Sequence, residues 1–225
     1  MKRLIVFGCS LTYGYGLPDC YINGGPGKVP SVLGWPSTVA KYLRRECVNM
    51  SKPGVSNKFI WNRVVNFEFN SSDIVIIHWT YTNRTCVFRK DGIENIGTWT
   101  GHDEYYDKFY DDHDATIMSR LYLNHVNNFL ETADIEVHNI ITNIKDLNLL
   151  NFKNEMAPSH IPLYISEVRN EYPLADDNHH PGIECNLQYS KVILDYLNVD
   201  HDIPYQIPLD TLGKVKRRLQ YLRNK

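Results

Sequence analysis

Hydrophobic positions along this chain come as short unbroken runs and as helical stripes, separated by Gly, Pro and polar clusters. Residues 4–7, Leu-Ile-Val-Phe, form one unbroken run. Continuous apolar character marks a strand covered on both faces, whereas a half-exposed strand alternates. Residues 73–78 are the clearest run of this kind, and 47–50 and 135–142 are shorter or weaker ones. Helical stripes fall at 37–45, at about 57–67, at 115–130 and at 183–197. The first turns Val39, Tyr42 and Leu43 inward. It begins beside Pro36, whose missing N–H would be unpaired in a first helical turn anyway. Weaker patterns predict a helix over 143–152, a short strand or lid segment at 161–165 and a basic helix over 212–222. Gly and Pro clusters make 14–33 a loop and 53–57 a turn, while 85–113 reads as polar, aromatic and irregular.

Strands alternating with helices predict an α/β fold, a parallel sheet with helices on both faces. Such sheets bind ligands beyond the carboxyl ends of their strands. Ser10, Gly54 and residues 80–84 all lie just past predicted strand ends, so topology alone gathers them around one cleft.

Composition narrows the class. At 225 residues and 43% hydrophobic, the chain suits one α/β domain with an appendage. A net charge of -2 argues against a general nucleic-acid or membrane surface. The local exceptions are acidic 103–114 and basic 214–225. The five cysteines are scattered, odd in number and without Cys-x-x-Cys spacing, which predicts a reducing compartment and no structural zinc. No run of eighteen apolar residues occurs and no signal-peptide pattern follows the first strand. The expected location is cytoplasmic, with no membrane span, no nucleic-acid partner and no cofactor.

The candidate chemistry joins the two ends of the chain. Ser10 follows the first strand, and Asp177-Asn178-His179-His180-Pro181 comes about 170 residues later. A serine hydroxyl becomes nucleophilic when a base takes its proton. His180 is the candidate base, and Asp177 is placed to orient its ring. Backbone N–H groups after the first strand and at Gly54 are candidate oxyanion donors, and Asn83 can add a side-chain amide. His179 and Asp176 compete with His180 and Asp177 for the same roles. Asn57 reads as a helix cap or a support of the active-site loop, and Cys9 as a small buried residue.

The pattern resembles the SGNH hydrolase family, also called GDSL-like lipases and esterases. Its Gly-Asp-Ser-x-Thr block matches Gly8-Cys9-Ser10-Leu11-Thr12, with cysteine where the family has aspartate. Its second-block glycine matches Gly54, and its Asp-x-x-His-Pro block is intact at Asp177, His180 and Pro181. The third block, Gly-x-Asn-Asp, departs. Strict alignment puts Tyr81 at the asparagine, and Asn83 stands two residues on. The resemblance implies a flavodoxin-like three-layer α/β/α sandwich over residues 1–200, with an aromatic and acidic insertion at 85–114 and a basic extension over 201–225. It implies a Ser-His-Asp triad of Ser10, His180 and Asp177 and an oxyanion hole of Ser10, Gly54 and Asn83. Trp79, Thr80 and Arg84 are the candidate substrate contacts.

The expected activity is ester hydrolysis through an acyl-enzyme, on a small-molecule or glycan ester. The alternatives are acyl transfer at the same site and a non-catalytic protein that keeps the fold. His78 reads either as a satisfied core histidine or as a cleft residue beside Trp79. Residues 99–114 read as a solvated lid rather than a metal site, with Trp99, Tyr105, Tyr106, Phe109 and Tyr110 available as an aromatic wall. The basic tail reads as a solvated helix face or a subunit contact.

Overall fold

The structure, a computed structural model, describes residues 2–22, 25–26, 28–142, 160–161, 163, 169 and 171–203. The helices expected over 143–152 and 212–222 lie outside the described residues, as does most of the segment expected at 161–165.

Four parallel strands form the central sheet: β1 (Arg3–Phe7), β4 (Glu46–Asn49), β5 (Ile74–Trp79) and β8 (Glu136–Ile141), in the order β4-β1-β5-β8. Leu4 pairs with Cys47 on one side of β1 and with Ile74 on the other, and Ile74 pairs in turn with Glu136. A single parallel bridge, Asn139 to His160, continues the sheet beyond β8. The apolar runs are buried as their continuity predicts: Leu4, Ile5, Val6, Val75, Ile76 and Ile77 are fully inaccessible.

Helix α2 (Trp35–Tyr42) packs with α6 (Ile183–Tyr196), and α3 (Asn57–Val65) packs with α5 (Asp112–Thr132). These pairs flank the sheet as the outer layers of an α/β/α sandwich of flavodoxin-like type. Helix α2 begins at Trp35, two residues before the expected start, because Pro36 sits comfortably in its first turn. The chain turns away after Leu43, and Arg44 takes a left-handed conformation.

Three segments differ from the expected pattern. The residues after β1 form a four-residue helix, α1 (Ser10–Tyr13), closed by Gly14 in the left-handed conformation. The stretch expected to be irregular contains an antiparallel hairpin, β6 (Thr85–Arg89) with β7 (Gly92–Ile96), followed by α4 (Asp103–Lys108). Lys90 and Asp91 form its two-residue turn, and Gly92, at φ 155°, opens β7 opposite Arg89. A small pair, β2 (Tyr21–Ile22) with β3 (Gly25–Pro26), lies in the Gly/Pro-rich loop.

Among the described residues, no helix is long and apolar enough to cross a membrane. They hold no cluster of three or more metal-ligating side chains either. Residues 201 and 202 contact α2 and α6: the Tyr42 hydroxyl donates to Asp202, and His201 meets Asp195 at 3.0 Å.

Candidate active site

Strand order places the site. The chain passes from β1 through α2 to β4, then crosses back through α3 to β5 on the opposite side of β1. The connections leaving β1 and β5 therefore diverge, and a crevice opens beyond their carboxyl ends. Ser10 follows β1, and residues 80–84 follow β5.

The first motif is built by close packing. A side chain at Gly8 would bring its Cβ within 2.4 Å of Thr12 Oγ1, so only glycine lets α1 fold back over the strand end. Thr12 in turn meets His78 Nδ1 at 2.6 Å. On the other side of that ring, Nε2 meets Thr142 Oγ1 at 3.0 Å, and the Thr142 hydroxyl donates to the Trp79 carbonyl at 2.7 Å. Thr142 thus receives the His78 Nε2 proton, and Thr12 donates to Nδ1. The ring is a neutral, satisfied core histidine, and burial, assisted by the Arg84 charge, pushes its pKa down to about 3.

The last motif forms a tight turn tied to the first. Asp177 Oδ2 meets His180 Nδ1 at 2.6 Å, and Asp177 Oδ1 accepts from the backbone N–H groups of His179 and His180 at 3.0 and 2.9 Å. Asn178 holds the turn in the left-handed region, and Ala175 N donates to the His180 carbonyl at 2.8 Å. Asp176 N donates to the Gly16 carbonyl at 3.0 Å, which joins this turn to the loop after α1. Gly16 has φ +88°, and a Cβ there would stand 2.7 Å from the Asp177 carboxylate. Buried Asn186 in α6 supports the turn from behind. It accepts from Trp35 N and donates to the carbonyls of Pro181 and Gly182.

Burial alone would raise the Asp177 pKa, but the two backbone donors and the imidazole outweigh it and hold the carboxyl below its usual range. His180 moves down as well. Its desolvation, with the charges of Arg169 and His179, exceeds the attraction of Asp177, so the ring is neutral at neutral pH.

Ser10, Tyr15, Pro53, Gly54, Arg84, Trp99, Asp177, His179 and His180 line one cleft of about 870 Å³. Gly54 reaches it because the loop after β4 keeps pairing past the strand: Met50 N donates to Val6 O and Lys52 N to Gly8 O. Its φ of +74° suits glycine. The Tyr15 ring lies 4.9 Å from that of His180. Among the described residues, the Ser10 hydroxyl has no hydrogen bond to the imidazole, a contact that tightens in many enzymes only when substrate is bound.

The third block is where the site departs from the sequence reading. Trp79 is a core residue, 2% exposed, with its indole N–H on Asn139 Oδ1 at 2.8 Å. Its strand is covered on both faces, so position 79 faces protein. Thr80 is also buried. Asn57 grips it by both backbone groups, accepting from Thr80 N at 2.8 Å and donating to Thr80 O at 3.1 Å. Ser56, not Asn57, caps α3. Asn83 is not among the lining residues, and its carbonyl accepts from the Tyr106 hydroxyl. Arg84 does reach the cleft, with its guanidinium 4.6 Å from the Trp99 ring centroid and 4.9 Å from that of Tyr81. Of the proposed aromatic wall, Trp99 lines the cleft, while Tyr105, Phe109 and Tyr110 line a neighbouring one of about 260 Å³. Tyr15 and Pro53 carry no motif signal, because only the folding of their loops brings them here.

No family model matches this sequence, and no curated protein matches it. Solved structures are similar to it. One is an acetyl xylan esterase, Est2A, from Butyrivibrio proteoclasticus, with TM-score 0.55 and 14% identity over 88% of this chain and 63% of that chain. Another is a G-D-S-L family protein from Desulfitobacterium hafniense, with TM-score 0.51 and 13% identity over 85% of this chain and 97% of that one. A psychrotrophic esterase, EstA, from a Pseudoalteromonas species gives TM-score 0.52 and 11% identity over 87% and 96%. At these identities the likeness speaks for architecture alone: this chain shares the α/β/α sandwich of those structures.

Proposed function

We propose that this chain is a serine ester hydrolase. The observation that carries the reading is the Asp177–His180 pair, held at 2.6 Å with its ring in the same cleft as Ser10 and Gly54. In the proposed cycle His180 Nε2 takes the Ser10 proton as Oγ attacks the acyl carbonyl. Asp177 stabilises the imidazolium that forms. The backbone N–H groups of Ser10 and Gly54 receive the oxyanion. His180 then gives its proton to the leaving alcohol, and water releases the acid by the reverse path. Asn83, away from the cleft lining, is left out of this oxyanion hole.

A small acyl group such as acetyl on a carbohydrate is the proposed substrate. Its support is the half-exposed Trp99, a ring face of the kind that stacks on sugars, together with the fold shared with an acetyl xylan esterase. Hydrolysis is favoured over acyl transfer because the cleft is open to water beside that ring.

A fluorophosphonate probe tests the nucleophile. Labelling of the intact protein is expected, retained in Cys9→Ala and abolished in Ser10→Ala. An intact protein that stays unlabelled, beside a labelled control esterase, sinks the proposal.

A further inference from the structure

The cleft contains a cation, Arg84, with no counterion among the described residues. Arg84 is half-buried and pairs with no carboxylate among the described residues. One of its Nη atoms is spent on Thr80 Oγ1 at 3.0 Å, and its Nε is buried with no hydrogen-bond partner. Arg84 also lines the neighbouring cavity together with Asp111 and Asp114, but neither carboxylate forms an ion pair with it. The carboxylate that does line the cleft, Asp177, is engaged by His179 and His180.

This guanidinium is held rather than solvated. Tyr81 and Trp99 both lie at cation–π distance, 4.9 and 4.6 Å. The Thr80 that anchors it is itself clamped by Asn57. Trp99 is fixed in turn: Gly97 leaves room for its ring, which a Cβ there would meet at 2.5 Å, and Thr100 closes the turn through Gly97 N and O. Withdrawing a charge from water costs free energy unless another charge or strong hydrogen bonds compensate. A rigid, partly desolvated and unpaired guanidinium beside a nucleophile is therefore half of an ion pair that a ligand completes.

We propose that Arg84 is a specificity-determining residue that binds an anionic group, carboxylate or phosphate, on the alcohol portion of the ester. The inference rests on the esterase reading above. An acetyl group has no room for a charge, so the anion belongs to the alcohol. Trp99 neighbours both Gly54, whose added Cβ would be 3.6 Å from its ring, and Arg84, which covers its face. A substrate whose acylated end enters the oxyanion site at Gly54 can thus run along the edge of Trp99 and bring its charged end to Arg84. The planar fork of arginine suits both carboxylate and phosphate.

Binding and turnover test this separately. Calorimetry on Ser10→Ala compares glucuronate with neutral glucuronamide, and glucose 6-phosphate with glucose. At least one anion is expected to bind about tenfold or more tighter than its neutral partner. Arg84→Gln in the same background is expected to abolish that preference, and Arg84→Lys to restore part of it. Equal affinity within both pairs overturns the inference, even where fluorophosphonate labelling of Ser10 leaves the hydrolase reading intact. In the Ser10-containing protein, the ratio of kcat/KM for O-acetyl glucuronate over O-acetyl glucuronamide, or for the phosphate pair, is expected to fall with Arg84→Gln. An equal loss of kcat on charged and neutral esters assigns Arg84 to the oxyanion instead and overturns the specificity role.

Discussion

Gly16 shows how one residue can govern the candidate triad from outside it. Its left-handed backbone and its contact with the Asp177 carboxylate leave no space for a methyl group. Gly16→Ala is expected to displace Asp177 and free the His180 ring. The loss in kcat is expected to be on the order of a hundredfold or more, short of what removing a triad member does. Ester hydrolysis kinetics read the rate, and a thermal melt reads the accompanying destabilisation, more than about 1 kcal/mol. The pH profile is the second test at this scale. His180 must be neutral to act as base, and desolvation holds its pKa below the usual imidazole value. The acidic limb of kcat/KM should therefore lie below about pH 6.5, with full activity at neutrality. Asp177→Asn removes the attraction that opposes desolvation, so the limb should move to lower pH while the rate falls steeply. A limb that moves upward would contradict the assignment of His180.

Element packing decides where the third block ends up, and here the sequence is least informative. The Ser10 and Asp177-x-x-His180 blocks are legible because their spacing is local: each is one turn whose chemistry reads from adjacent letters. Strands β1 and β5 are legible for a similar reason, since near-complete burial leaves an unbroken apolar run, whereas β4 and β8 are partly exposed and carry polar residues that blur the signal. Trp79 and Asn83 mislead because alignment along one dimension does not say which side of a strand end faces the cleft. The hairpin over β6 and β7 is hidden by the polar and aromatic composition around it, and its turn, Lys90-Asp91, carries no Asn-Gly or Asp-Gly pair at its centre. What fixes the loop after β5 is a long-range partner, Asn57 in the first turn of α3, which binds Thr80 N and O and Ser119 Oγ. Nothing near Thr80 in the sequence announces that contact. Asn57→Ala leaves buried backbone groups unpaired and is expected to cost about 1–3 kcal/mol in urea unfolding. It should also weaken any anion preference carried by Arg84, because Thr80 anchors the guanidinium. Unchanged stability would mean that the loop is held by its aromatic contacts instead.

Across the whole molecule, His78 links three parts of the fold: α1 through Thr12, β5 in which it stands, and the end of β8 through Thr142. Its burial is complete, and its neutrality makes stability depend on pH. The folded ring has a pKa of about 3, against 6.5 for a free histidine. Between those values the unfolded chain binds a proton that the folded chain does not, so stability falls as pH falls. One such proton is worth about 1.4 kcal/mol per pH unit at its steepest. His180, also lowered, acts in the same direction, whereas the lowered carboxyls of Asp73 and Asp177 contribute only nearer their own titration range, below about pH 4. The window between about pH 4.5 and 6.5 is therefore dominated by the histidines. His78→Gln is expected to start less stable at neutral pH, since the glutamine amide does not reproduce both threonine contacts. It is also expected to lose stability more gently on acidification. Urea unfolding at a series of pH values measures both slopes. Parallel slopes for the variant and the parent would mean that His78 takes up its proton in the folded state, and the neutral ring linking α1, β5 and β8 would have to be abandoned.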